Sequence, residues 1–182
     1  LGNDPRARDQ NDLDFLTGSA KYDAVYIADT HKEFSYRVPY ATHRSSIVIG
    51  SSGLVPRAWH WSYLRHGAPQ VHGRFERMHK RRMTEEDWAA WVAMRAVAEA
   101  LVRFKDNENF SFSDAFVNEN FKLDGSKGPI LNFRPWNRQL RQPIMLSTEN
   151  WVTSIAPLNS FVHRENNLDT IGMDNKTSKC AN

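Results

Sequence analysis

The sequence predicts an α/β fold built on a parallel sheet with helices on both faces. Two observations carry this. Tyr22-Asp-Ala-Val-Tyr-Ile-Ala-Asp29 and Ser46-Ile-Val-Ile-Gly50 are compact apolar runs with β-branched centres, the pattern of buried strands. Segments of helical character alternate with them over the first hundred residues, which implies βα units. The 182 residues suffice for one ordinary domain or two small lobes.

Taken in order, residues 10–17 read as a short helix ended by Gly18, and the strands 22–29 and 46–50 follow. Ser51-Ser-Gly53 is a turn signal. Pro56 suits the first position of a helix over 56–66 closed by Gly67, and a second helix covers 68–80. Thr84-Glu-Glu-Asp87 has the form of a capping box. It opens the clearest helix, in which Trp88, Trp91, Val92, Ala98, Leu101 and Val102 recur near 3.6-residue spacing through Phe104. Arg95 interrupts that stripe, with its stem free to lie along the apolar face. Residues 113–121 form a short helix. Residues 130–133, 142–146 and 151–155 read as three strands, with Arg134–Arg141 as a hairpin turn. The tail, from about residue 164, is polar and extended.

Composition excludes some classes. The formal net charge is +3, and acids are interleaved with bases, so no broad cationic face suggests a nucleic-acid partner. The densest basic run, His79-Lys-Arg-Arg82, reads as a solvated turn. One cysteine, Cys180, cannot build an internal disulfide framework. No stretch approaches the roughly 18 apolar residues of a membrane span.

Catalytic signatures are missing. There is no GxGxxG, Walker loop, GxSxG elbow or HExxH. His60 and His66 are six apart and face different ways on a helix. His72 and His79 are seven apart but have no third ligand at a supporting position, so no metal is expected. Nothing pairs a nucleophile with a base, and the chain is expected not to be an enzyme. Aromatic density is the stronger signal: Trp59, Trp61 and Tyr63 fall within five positions, and Trp88 opens the strongest helix. In α/β modules of this kind ligands bind beyond the carboxyl ends of the strands, here Ala28-Asp29-Thr30 and Gly50-Ser51-Ser52.

Several strings then carry a resemblance. They are Asn3-Asp-Pro-Arg-Ala-Arg-Asp-Gln10, Tyr22–Asp29, Val38-Pro-Tyr40, Gly53-Leu-Val-Pro-Arg-Ala-Trp-His60, Arg82-Met-Thr84 with Asp87-Trp-Ala-Ala-Trp91, Phe133-Arg-Pro-Trp-Asn-Arg-Gln-Leu-Arg-Gln-Pro143 and Leu168-Asp-Thr-Ile-Gly172. With these the chain resembles the type I periplasmic substrate-binding proteins of ABC transporters, the branched-chain amino acid receptor group. Within that group it is similar to the members associated with PQQ-dependent alcohol dehydrogenase systems.

The resemblance implies a periplasmic, three-layer type I binding-protein fold that is incomplete in this chain, which corresponds to the carboxyl-terminal half. Residues 1–53 would belong to the second lobe, 54–125 would form a helical segment of the first, and 126–182 would close the second with strands and tail. The implied partners are a small-molecule ligand, the amino-terminal half or a second chain supplying it, the transporter's membrane components and a quinoprotein dehydrogenase. No catalytic cofactor is implied, and PQQ enters as a bound ligand beside small organic acids and amino acids. Asp29, Thr30, Ser51 and Ser52, with His31, occupy strand-end positions suited to an ammonium and a carboxylate. Trp59, Trp61 and Trp88, with Arg57 and Arg65, suit a planar anion, and Asp87 lies beside them. The alternative is an accessory subunit of a quinoprotein alcohol dehydrogenase with no role in transport.

Overall fold

The computed structural model describes residues 13–18, 20–29, 35, 37–50, 54–160 and 162–178. Contacts divide the chain into two units, 1–55 with 147–150 and 56–146 with 151–182.

In the first unit, residues 13–18 form helix α1. Thr17 Oγ1 of α1 accepts from His43 N at 2.9 Å, and His43 Nδ1 meets Asp14 Oδ1 at the same distance. Strands β1 (Ala24–Ile27) and β2 (Ile47–Gly50) pair in parallel, in the register Ala24 to Ile47 and Ile27 to Gly50, with α2 (Val38–Ala41) between them in sequence. Gly50 has φ +94°, and a Cβ there would lie 2.2 Å from Ile27 O, so no side chain fits that register. The parallel pair falls within the apolar runs read from the sequence, but the strands are shorter than those runs and, contrary to the expectation of buried strands, only Ile27 among their residues is buried.

The second unit begins with β3 (Val55–Arg57), whose first residue falls on the boundary. Helices α3 (Ala68–His79), α4 (Glu85–Phe104) and α5 (Phe112–Val117) follow. Strands β4 (Leu123–Asp124), β5 (Ile130–Phe133) and β6 (Leu140–Arg141) form an antiparallel sheet in that order. Strands β7 (Ile144–Ser147) and β8 (Val152–Ala156) join β3 in a second sheet of order β3-β7-β8. Two 3-10 turns, Asn167–Thr170 and Asn175–Thr177, finish the described chain.

The architecture is therefore mixed α/β. The expected three-layer arrangement around one parallel sheet is not what the described residues form. They build three small sheets, one a parallel pair and one wholly antiparallel. The short connections after residue 120 explain the antiparallel sheet, because hairpins return a chain beside itself whereas parallel pairing needs a long crossover.

The helix expected over 56–66 is also corrected. Pro56 lies within β3, at the edge of its sheet, where a missing N–H is tolerated. A turn follows: Tyr63 N donates to His60 O, and Ser62 Oγ meets His60 Nδ1 at 2.8 Å. Burial of Trp59 and Tyr63 decides the path, and Gly67, expected to close that helix, is instead the N-cap of α3.

The capping box forms as read. Thr84 Oγ1 accepts from Asp87 N while Asp87 Oδ2 accepts from Thr84 N. The buried stripe of α4 runs Trp88, Val92, Ala96 and Ala100, four apart, so Ala98, Leu101 and Val102 point outward, contrary to expectation. Arg95 behaves as expected of a long stem: its guanidinium lies 5.4 Å from the Trp91 ring and pairs with Glu99. These helices and strands enclose one core containing Trp59, Tyr63, Met83, Phe121, Leu131 and Met145, so residues on either side of position 126 share it.

Candidate functional site

The sequence-predicted site residues fall in three groups. Thr30, His31, Ser51 and Ser52 lie outside the described residues, as does Cys180. Asp29 belongs to the first unit. It is buried, and its Oδ2 accepts from Ser35 N at 2.9 Å. Arg57, Trp59, Trp61, Asp87 and Trp88 belong to the second unit, which brings them to the start of α4.

There each packs against or pairs with a neighbour, although the buried Arg57 Nε and Trp59 Nε1 have no hydrogen-bond partner among the described residues. Trp59 and Trp88 stack on each other, with centroids 6.1 Å apart and planes 10° from parallel, and both are fully buried. Trp88 Nε1 donates to Gly125 O at 3.0 Å. Arg57 pairs with Glu85, whose other oxygen accepts from Ala58 N. Asp87 takes both guanidinium nitrogens of Arg81, and these hydrogen bonds hold its carboxyl well below the usual carboxylate range. Trp61 is partly exposed. The Arg82 guanidinium lies 3.6 Å from its ring centre, and His60 and His72 pack beside it. The tryptophans thus form a packed layer under the helix start.

Sequence reading missed the groups with the most unusual surroundings. Lys127 is 1% exposed. Its Nζ donates to Gln142 Oε1 at 2.6 Å and Pro143 O at 3.3 Å, and it lies 3.7 Å from the centre of the Trp88 ring. Burial pushes its amine down to about 7, with the charge of Glu85 opposing. Tyr63 is also buried, and its hydroxyl has no hydrogen-bond partner among the described residues. Burial pushes its phenol up, and Arg65 opposes this.

Both residues line an open cleft of about 620 Å³ within the second unit. His66, Glu165, Asn166 and Asn167 supply the other polar groups, and Pro129, Ile130, Pro143, Ile155 and Leu168 supply apolar walls. A second cleft of about 500 Å³ shares Tyr63 and Ile155 as its wall.

One side of the larger cleft is fixed by a buried ion network. Asp169 Oδ1 accepts from Arg134 Nε and Arg141 Nε, each at 2.7 Å, and its Oδ2 accepts from Arg141 Nη2 at 3.0 Å. Burial would raise the Asp169 carboxyl, but the hydrogen bonds from Arg141 and Arg134 outweigh it and hold the carboxyl lowered. Arg134 also donates to Leu168 O and Ile171 O. Gly172, at φ +121°, leaves room for this guanidinium, since a Cβ there would come within 3.1 Å of it. The network therefore holds the segment carrying Asn166, Asn167 and Leu168 against the β5–β6 hairpin. Trp136 Nε1 adds a bond to Met173 O.

Among the described residues, no group of three or more His, Cys, Asp or Glu is placed to hold a metal, and no helix is long and apolar enough to cross a membrane. No family model matches the chain, and neither a curated protein nor a solved structure matches it.

Proposed function

We propose that this chain is a solute-binding component of a periplasmic ABC-type uptake system linked to PQQ-dependent alcohol oxidation, and that it binds a small molecule without converting it. On this reading it is the carboxyl-terminal half of a two-lobed receptor of the type I three-layer fold. An amino-terminal half, in the same protein or a second chain, completes that fold and presents the receptor to the transporter's membrane components. The ligand is PQQ, a small organic acid or an amino acid.

The observation that carries the binding role is the open cleft with Lys127 and Tyr63 in its wall. Its volume of about 620 Å³ falls within the roughly 300–1,000 Å³ typical of small-molecule sites. It combines apolar walls with a few polar groups, the usual composition of such sites. The family strings quoted above supply the transport context. A further support is the parallel β1–β2 pair, whose Tyr26, Ile47 and Ile49 are exposed and available for cover by additional chain.

The test is equilibrium binding by calorimetry with PQQ, organic acids and amino acids, run beside an assay for alcohol oxidation. Saturable binding with no product is expected. Steady turnover of an alcohol by the purified protein, with no dehydrogenase present, would replace the receptor reading with an enzymatic one.

A further inference from the structure

We infer that the Tyr63–Lys127 cleft is a carboxylate-holding subsite that takes the acid end of a small aliphatic monocarboxylate. This rests on the receptor reading and adds where in the second unit the solute is held and by what chemistry.

Three features converge. Buried polar groups in folded proteins are nearly always paired, so the unpartnered hydroxyl of Tyr63 in a cleft wall is a position that a ligand oxygen would satisfy. Lys127 lines the same cleft, and its buried amine, lowered to about 7, carries a positive charge below that pH. It is held by Gln142 and Pro143, and among the described residues no carboxylate lies within hydrogen-bonding distance of it. A carboxylate near a desolvated ammonium interacts more strongly than it would in water. His66 adds a third polar side chain to the lining, packed against the Tyr63 ring with centroids 6.2 Å apart.

The remaining walls define the rest of the solute. Pro129, Ile155 and Leu168 present carbon, which suits an aliphatic chain. Glu165 is exposed in the same lining and opposes a second negative charge, so one carboxylate is favoured over two or three. This separates the subsite from the tryptophan layer at the start of α4. Trp59 and Trp88 are stacked on each other and buried, with neither ring face offered to a planar ligand.

A proton link follows. The ionisable groups around Lys127 are Glu85, whose charge acts on the amine, and Tyr63, His66 and Glu165 in the cleft lining. An arriving carboxylate favours the charged amine. Above about pH 7, where the free amine is largely neutral, binding therefore takes up a proton and weakens as pH rises.

The experiment titrates the full chain with pentanoate and, as an uncharged match, 1-pentanol, at about pH 6 and about pH 9 on either side of the Lys127 transition. Pentanoate is expected to bind and pentanol not, with affinity lower at the higher pH. Tyr63→Phe removes only an unpaired hydroxyl, so it folds. It should weaken pentanoate about tenfold, a change equivalent to roughly 1.4 kcal/mol. Lys127→Gln should abolish both binding and the pH dependence, with its melting curve confirming the fold. Equal binding of pentanoate to wild type and Tyr63→Phe overturns the subsite, as does equal binding of acid and alcohol. If the chain instead binds another solute with an affinity unmoved by Tyr63→Phe, the subsite fails while the receptor reading stands. If no solute of any class binds, both fail.

Discussion

In the second unit Trp59, Trp88, Phe121 and Leu131 are at most 2% exposed, whereas in the first Tyr26, Ile47 and Ile49 are 73%, 69% and 47% exposed. Both units contain apolar strands, but the first buries only Ile27 of its β1–β2 pair, whereas the second buries Leu123, Leu131 and Met145 of its strands and leaves Ile130 exposed. Parallel strands are normally covered on both faces, and two strands alone bury too little to be stable. Among the described residues the second unit holds the buried cluster around Trp59 and Trp88, while Tyr26, Ile47 and Ile49 of the β1–β2 pair lie open. That difference is what the proposed amino-terminal half would resolve.

The largest effects are expected in the second unit's core. Trp88→Ala removes the partner of Trp59 and the ring beneath Lys127, and it should cost about 3–5 kcal/mol in urea unfolding. A loss below about 1 kcal/mol would mean that the unit is not held together as described. Arg134→Ala should cost about 3–5 kcal/mol by leaving Asp169 buried with one cation fewer, and it should loosen the segment 163–178 to proteolysis.

The acid side of the pH profile follows from the same network. The folded Asp169 carboxyl is lowered, so its stabilisation is present above the ordinary carboxylate range and is lost as pH falls through the folded value. Lys127 acts at the other end. Its folded value is depressed from 10.5 to about 7, so between those values the unfolded chain holds a proton that the folded chain lacks. Stability should therefore rise with pH across that window, and Lys127→Met should flatten the rise in melting experiments.

Smaller effects sharpen the contrast. Thr84→Ala deletes the capping box of α4 and should cost about 1 kcal/mol by thermal melting. Ile47→Thr, on the exposed face of the first unit, should change the stability of the chain alone by less than about 0.5 kcal/mol. On the present reading it should cost distinctly more once an amino-terminal half is bound, and equal costs in the two states would remove the reason to regard β1–β2 as an unfinished sheet.

Local signals were legible where local physics decides. The two apolar runs gave the parallel pair, and Thr84 with Asp87 gave the helix start, because a cap is a contact between residues three apart. The segment 56–66 misled because Pro56 fits both a helix start and an edge strand, and the burial of Trp59 and Tyr63 selected the second. The outward turn of Leu101 and Val102 was likewise set by what packs against α4, not by its own periodicity. The candidate cleft was almost illegible. Tyr63, Lys127 and Leu168 are far apart in sequence, and a lone lysine after Gly125-Ser126 carries no pattern that announces burial. Arg134 and Arg141 were read as a hairpin turn, and the turn forms, but their joint partner Asp169 is about thirty residues on.

The most direct measurement is the thermal unfolding of the purified chain with and without saturating small carboxylates, with product formation monitored in the same samples. A ligand that binds only the folded state raises stability by about 2.7 kcal/mol at a hundred times its dissociation constant. A concentration-dependent rise in Tm is expected, with the solute recovered unchanged. A Tm indifferent to every organic acid, amino acid and PQQ tested, or a rise accompanied by conversion of the solute, would contradict it.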